Sequence, residues 1–139
     1  MSSAAISVFS PQTMLTFLFT LQNNVKMYHW YTLSYARHMA SDKLYDELND
    51  LVDTFVETYI GKYGRPTITS SSWKKADRIV PLAIADDKRF VPFLNDAVVT
   101  LEKTLLAKGI IKESDTDLLS IRDDIVAAIH QCIYRCTLQ

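Results

Sequence analysis

Between His38 and Glu57 the chain carries a stripe of side chains of the kind that hold metal ions. At roughly 100° per residue for a helix, with His38 at 0°, the residues Asp42, Asp53, Asp46, Glu57 and Asp50 fall at about 40°, 60°, 80°, 100° and 120°. One face therefore gathers an imidazole and carboxylates, while Leu44, Leu48, Leu51 and Phe55 take the opposite side. A second imidazole, His29, precedes Trp30 just upstream. Asp53 and Glu57 are one turn apart, so both carboxylates can reach a single cation. Oxygen donors with imidazole suit Fe(II), with Mn(II) or Zn(II) as alternatives, and fit thiolate-preferring metals poorly. Acids on the polar side of an amphipathic helix are also commonly just solvated. Here they repel one another, with only Lys43 and Lys62 nearby on the same helix. A bound cation would offset that repulsion, and so would hydration.

Four long helices are needed to position these groups. The first is expected from Pro11 to Tyr31, with Ser10 as N-cap and Pro11 at the first helical position. Its apolar seam is Met14, Leu18, Leu21, Val25 and Tyr28. The second is expected from near Ser34 to near Ile60, stopped by Gly61, Gly64 and Pro66. The third spans about Val91 to Lys108, with Pro92 in its opening turn and Gly109 as terminator. The fourth follows Ser114, whose relation to Asp117 resembles a capping box, and continues through Leu118, Ile121, Ile125, Ala128, Ile129 and Ile133. The long connection from Gly61 to Phe90 is expected to hold a short helix from Trp73 to Val80. His130, among apolar residues of the fourth helix, reads as a packing or hydrogen-bonded histidine. Trp73 with Lys74 and Lys75 reads as an anchored turn.

The predicted fold class is all-α: a four-helix bundle with one long crossover between helices 2 and 3, the ferritin-like variant. A length of 139 residues, with only three Gly and four Pro, suits a single domain over 1–139 and argues against a sandwich or barrel. Residues 1–10 are expected to form a flexible N-terminal segment. The net charge of −1 gives no general pull toward nucleic acid or anionic lipid. The most apolar run, Met14 to Leu21, falls short of the roughly 20 residues that span a bilayer, and no Lys or Arg precedes it as in a signal peptide. Cys132 and Cys136 read as free thiols in a reducing compartment, so a cytoplasmic or otherwise intracellular location is expected.

The segment Tyr28-His29-Trp30, then His38, Leu44-Tyr45, Asp53, Glu57, Gly64 and Pro66 resembles the starvation-protein mini-ferritins, the Dps-like proteins. In that family a His-Trp pair closes the first helix, a second His opens the next, an Asp follows fifteen residues later and a Glu four further on. The resemblance covers Val25 to Pro66. Trp30, Ser34-Tyr35-Ala36, His38 and Gly61-Lys62-Tyr63-Gly64-Arg65 look closer still to small ferritin-like proteins of large DNA viruses and phages, which implies a place in a viral particle as a second setting. The family resemblance implies oxidation of Fe(II) by peroxide or dioxygen and storage of ferric mineral in a shell. It also implies an iron site across a two-fold interface, with His29 and His38 from one subunit and Asp53 and Glu57 from its partner. Asp42 would assist as a nearby or alternative ligand. Self-association as a homodimer, and on to a multi-subunit shell, follows from the same resemblance. The stretch from His29 to His38 is about three residues shorter than the family pattern, so the turn there must be rebuilt. The first eleven residues hold no Lys or Arg, so DNA coating is not expected. A helical structural or interaction protein that keeps the bundle without turnover is the alternative reading.

Overall fold

The computed structural model describes residues 9–68 and 86–138. The expected helix from Trp73 to Val80, the turn at Trp73 to Lys75 and the N-terminal segment before Phe9 lie outside the described residues. Four helices pack as a bundle with a long connection between the second and third.

Helix α1 (Pro11–Tyr31) starts as its sequence dictates. The Ser10 side chain accepts from the Thr13 amide, and Pro11 fills a position whose N–H would have no partner. Met14, Leu18, Leu21, Val25 and Tyr28 are all buried. A connection of three residues, Thr32 to Ser34, then reverses the chain. The Thr32 amide donates to the Tyr28 carbonyl, and the Ser34 hydroxyl accepts from the Arg37 amide to open α2 (Tyr35–Tyr63). So short a turn forces α1 and α2 into an antiparallel pair.

Helix α2 runs past Gly61 to Tyr63, beyond the expected end near Ile60. Gly61 keeps its place in the helix, and the stop is Gly64, at φ +86°, in the left-handed region that favours glycine. Helix α3 (Asp87–Val99) continues through a π-helical stretch (Thr100–Thr104) into a last turn (Leu105–Ala107). It begins four residues before the expected Val91, because Asp86 caps it by accepting from the Lys88 amide. Pro92 therefore sits in the second turn. The ring deprives the Lys88 carbonyl of its helical donor, and both residues are exposed.

Helix α4 (Thr116–Arg135) follows Asp115, so the capping box expected at Ser114 does not form. The Asp115 carboxylate is occupied elsewhere. It accepts from Lys62 Nζ at 3.0 Å, from the Tyr63 hydroxyl at 2.5 Å and from the Lys112 amide at 2.8 Å. Lys62 also reaches Asp117 at 2.7 Å. These bonds tie the end of α2 to the start of α4, and they turn Lys62 away from the acidic stripe it was expected to relieve. Of the two expected lysines only Lys43 stays with the stripe helix's acids, paired with Glu47 at 3.7 Å.

Donation by Tyr63, backed by the Lys112 amide and Lys62, holds the Asp115 pKa down at about 2. An unfolded Asp titrates near 3.9, so the linkage stabilises the fold above about pH 4 and is lost as pH falls toward about 2. Urea melts between pH 5 and pH 2.5 should show a steeper loss of stability in the natural chain than in Asp115→Asn.

Helix α2 packs on both α1 and α4, and α3 closes the bundle against α4. Leu44, Leu48, Phe55, Phe90, Leu94, Leu101, Leu118, Ile125 and Ile129 meet in one core. His130 is exposed on the outer side of α4, not packed as expected, because Ile129 and Cys132 take the inward positions. The start of α3 lies at the α1–α2 turn, where Asp87 meets Tyr28 and Thr32. The start of α3 therefore lies near the start of α2, and the two helices point the same way. Among the described residues, no helix is long and apolar enough to cross a membrane.

Candidate metal site at the first helical turn

The short turn brings the last turn of α1 level with the first turn of α2, and this places His29 beside His38. Their rings stack with centroids 4.0 Å apart and planes 18° from parallel. Each ring is pinned by the other residue's backbone. His29 Nδ1 lies 2.9 Å from the His38 carbonyl oxygen, and His38 Nδ1 lies 2.8 Å from that of His29. A carbonyl only accepts, so both Nδ1 atoms carry hydrogen. In a neutral imidazole that leaves the lone pair on Nε2, the tautomer a metal requires. The bonds serve the fold as well, because the His29 carbonyl is one of the terminal α1 acceptors left without an intrahelical donor.

Asp42 lies one turn beyond His38, and its carboxylate stands 3.8 Å from His29 Nε2. That is too long for a hydrogen bond and close enough for both to face one cation. The His29 side chain is 12 % exposed and Asp42 is 45 % exposed, so the site opens at the surface.

Behind the histidines a polar node fixes the turn. Tyr28 donates its hydroxyl to the Asp87 carboxylate, Thr32 donates to the same oxygen at 2.9 Å, and Arg37 reaches the Tyr28 oxygen at 3.2 Å and the Asp87 carbonyl at 2.9 Å. Tyr28 also stacks on Phe90, centroids 3.7 Å apart. Burial, then the carboxylate of Asp87, pushes the Tyr28 pKa up to about 12, so the phenol stays a donor across the neutral range. Tyr28 was readable only as part of an apolar seam. Arg37 had no signal beyond its place beside His38, and Asp87, more than fifty positions from Tyr28 in sequence, had none.

Asp53 and Glu57 lie elsewhere. Both are exposed on α2, one turn apart. Fifteen residues of helix separate His38 from Asp53, about 22 Å at 1.5 Å per residue, so one chain cannot bring the four together. Among the described residues, no group of three His, Cys, Asp or Glu gathers closely enough to hold a metal ion. Asp53 instead lines a groove of about 400 Å³ between α1 and α2, with Leu15, Phe19, Asp50 and Val56. At the α1–α2 turn the surface is unusually apolar. Trp30, Leu33 and Tyr35 are 63 %, 96 % and 77 % exposed, with Tyr31 and Met39 beside them. Lys26 holds the flank of this tip, its ammonium 4.6 Å from the Tyr45 ring centre and 5.7 Å from that of Trp30.

A family model described as a family of unknown function (DUF5856) matches residues 29–136, a span that includes both histidines, Asp42, Asp53 and Glu57. A protein of Enterobacteria phage T4, described as an uncharacterized 14.6 kDa protein in the mobD-ri intergenic region, is 32 % identical over 114 residues. That match covers 80 % of this chain and 75 % of the phage protein. No solved structure matches. By the extent of that family match, and by its kinship with a phage protein, the chain belongs to the DUF5856 family.

Proposed function

We propose that this protein binds and oxidises Fe(II) at sites shared between two copies of the chain. His29 and His38 of one copy face Asp53 and Glu57 of the other, and Asp42 stands beside the imidazoles. The observation that carries this reading is the reciprocal pinning of the two histidines. It fixes both rings, commits both to the Nε2 lone pair, and does so beside a carboxylate at a surface opening. Lone pairs lie in the ring planes, and planes 18° from parallel do not converge on one ion. The rings therefore serve neighbouring iron positions, one or two ions per site. Partner carboxylates would neutralise the charge that grows as Fe(II) becomes Fe(III), while neutral imidazoles keep the geometry. Peroxide or dioxygen is the electron acceptor.

The groove beside Asp53 and the apolar tip beside His38 support a shared site, because packing the α1–α2 faces antiparallel about a two-fold axis buries both at once. Large exposed apolar patches mark such contacts. Anaerobic titration should show one or two Fe(II) per chain, and peroxide should then raise a ferric absorbance band. Absence of both binding and the band would retire the proposal. Leu33→Glu should halve the solution mass and abolish oxidation together, since in a lone chain Asp53 and Glu57 lie too far along α2 to reach the histidines. Unchanged oxidation by a monomeric Leu33→Glu would show the site to be complete in one chain.

The exposed aromatic tip also favours a second reading, a non-catalytic assembly protein in a phage particle, which keeps the self-association and not the turnover. Unaltered solution mass dependence on Leu33 with no iron oxidation in the natural chain selects that reading.

A further inference from the structure

Cys132 and Cys136 occupy successive turns at the end of α4, both buried and both part of the core. The Cys136 amide donates to the Cys132 carbonyl at 2.9 Å, so the helical geometry holds to the last thiol. Side chains four apart on a helix have Cβ atoms roughly 5–6 Å apart. A disulfide wants about 3.5–4.5 Å, so this pair is spread too widely for a sulfur–sulfur bond. It suits a thiolate–metal–thiolate bridge, whose two bonds of about 2.3 Å each put the sulfurs near 4.5 Å.

The ligand count then selects the ion. Among the described residues, no third His, Cys, Asp or Glu joins the pair. Zinc closes its structural sites with four ligands, and calcium, magnesium and manganese want oxygen. A soft monovalent ion is satisfied by two thiolates in a dry pocket. We infer that Cys132 and Cys136 form a two-coordinate thiolate site for Cu(I), separate from the histidine–carboxylate site.

On binding, two S–H bonds break, two S–Cu bonds form and two protons leave, with no change in oxidation state. The product carries one negative charge; the Arg37 guanidinium and the Asp87 carboxylate both act on Cys136, the first favouring that charge and the second opposing it. Cys136, 7 % exposed at the helix end, offers the way in.

The test is anaerobic titration of the full chain with Cu(I) against a chromogenic Cu(I) chelator. About one Cu(I) per chain should be withheld, and Cys132→Ser and Cys136→Ser should each weaken retention by about 100-fold or more. His29→Ala with His38→Ala should leave it unchanged. X-ray absorption at the copper edge of the natural chain, which needs no variant to fold, should show two sulfur neighbours and no nitrogen. Nitrogen neighbours, or equal retention by folded Cys132→Ala/Cys136→Ala, would overturn the inference. Iron oxidation should survive in the cysteine variants, so failure of either site is read independently of the other.

Discussion

Replacing Asp53 and Glu57 together by Ala should abolish rapid Fe(II) oxidation and leave the helical content and melting temperature nearly unchanged. Both side chains are exposed, and among the described residues neither makes a hydrogen bond or ion pair that holds the bundle together. Removing them relieves repulsion along α2, so the stability change should stay within about ±0.5 kcal/mol. Loss of activity without loss of fold separates a ligand role from a structural one. Mixing gives the sharper result. In a two-fold dimer each shared site takes histidines from one chain and acids from the other. A chain with His29→Ala and His38→Ala is inactive alone, and so is the Asp53→Ala/Glu57→Ala chain. Refolded together at equal amounts they should recover about one quarter of the natural rate, because half the dimers are mixed and each mixed dimer keeps one of two sites. No recovery despite mixed dimers, or full activity in the acid variant alone, would refute the shared site.

How far the sequence carried this reading follows from which interactions are local. The α1 seam, the start of α1 and the start of α2 were legible, because Pro11 needs no partner for an N–H and the Ser10 and Ser34 side chains each accept from an amide three residues on. The helix ends beyond were not. Gly61 reads as a stop, yet a helix tolerates one glycine at a cost of about 1 kcal/mol, and the chain turns only where Gly64 adopts positive φ. Ser114 lost the cap position because Asp115 answers to Lys62 and Tyr63, more than fifty residues earlier. At the candidate site the fold stacks His29 on His38 and sets the Asp42 carboxylate 3.8 Å from His29, without gathering the three as a metal cluster. That each imidazole would be held by the other's carbonyl depends on how far apart two helix ends finish, a distance no periodicity encodes. Asp53 and Glu57 share a face with His38 on the wheel, but a wheel suppresses the axial separation that keeps them from meeting it within one chain.

Asp87→Ala should be the most destabilising single change at the candidate site, by about 2–3 kcal/mol, or roughly 6–12 °C in melting temperature for a chain of this size. The carboxylate accepts from the Tyr28 hydroxyl and from Thr32, and its loss leaves a buried phenol without an acceptor. Arg37 would keep its bond to the Asp87 backbone carbonyl and lose only the nearby carboxylate charge, so the damage falls mainly on Tyr28 and Thr32. Because Tyr28 and Arg37 are the neighbours of His29 and His38, the loosened turn should also free the stacked rings. Iron affinity should therefore fall even at temperatures where the variant remains folded. Asp87→Asn separates the two effects. An amide oxygen still accepts from Tyr28, so most of the melting temperature should return, and with it the histidine geometry. Histidine ring nitrogens followed by NMR should show Nδ1 protonated in the natural chain and in Asp87→Asn, and a mixture of tautomers in Asp87→Ala. Tautomers unchanged in the Ala variant would mean that the backbone carbonyls alone fix the rings and that the node behind them serves only stability.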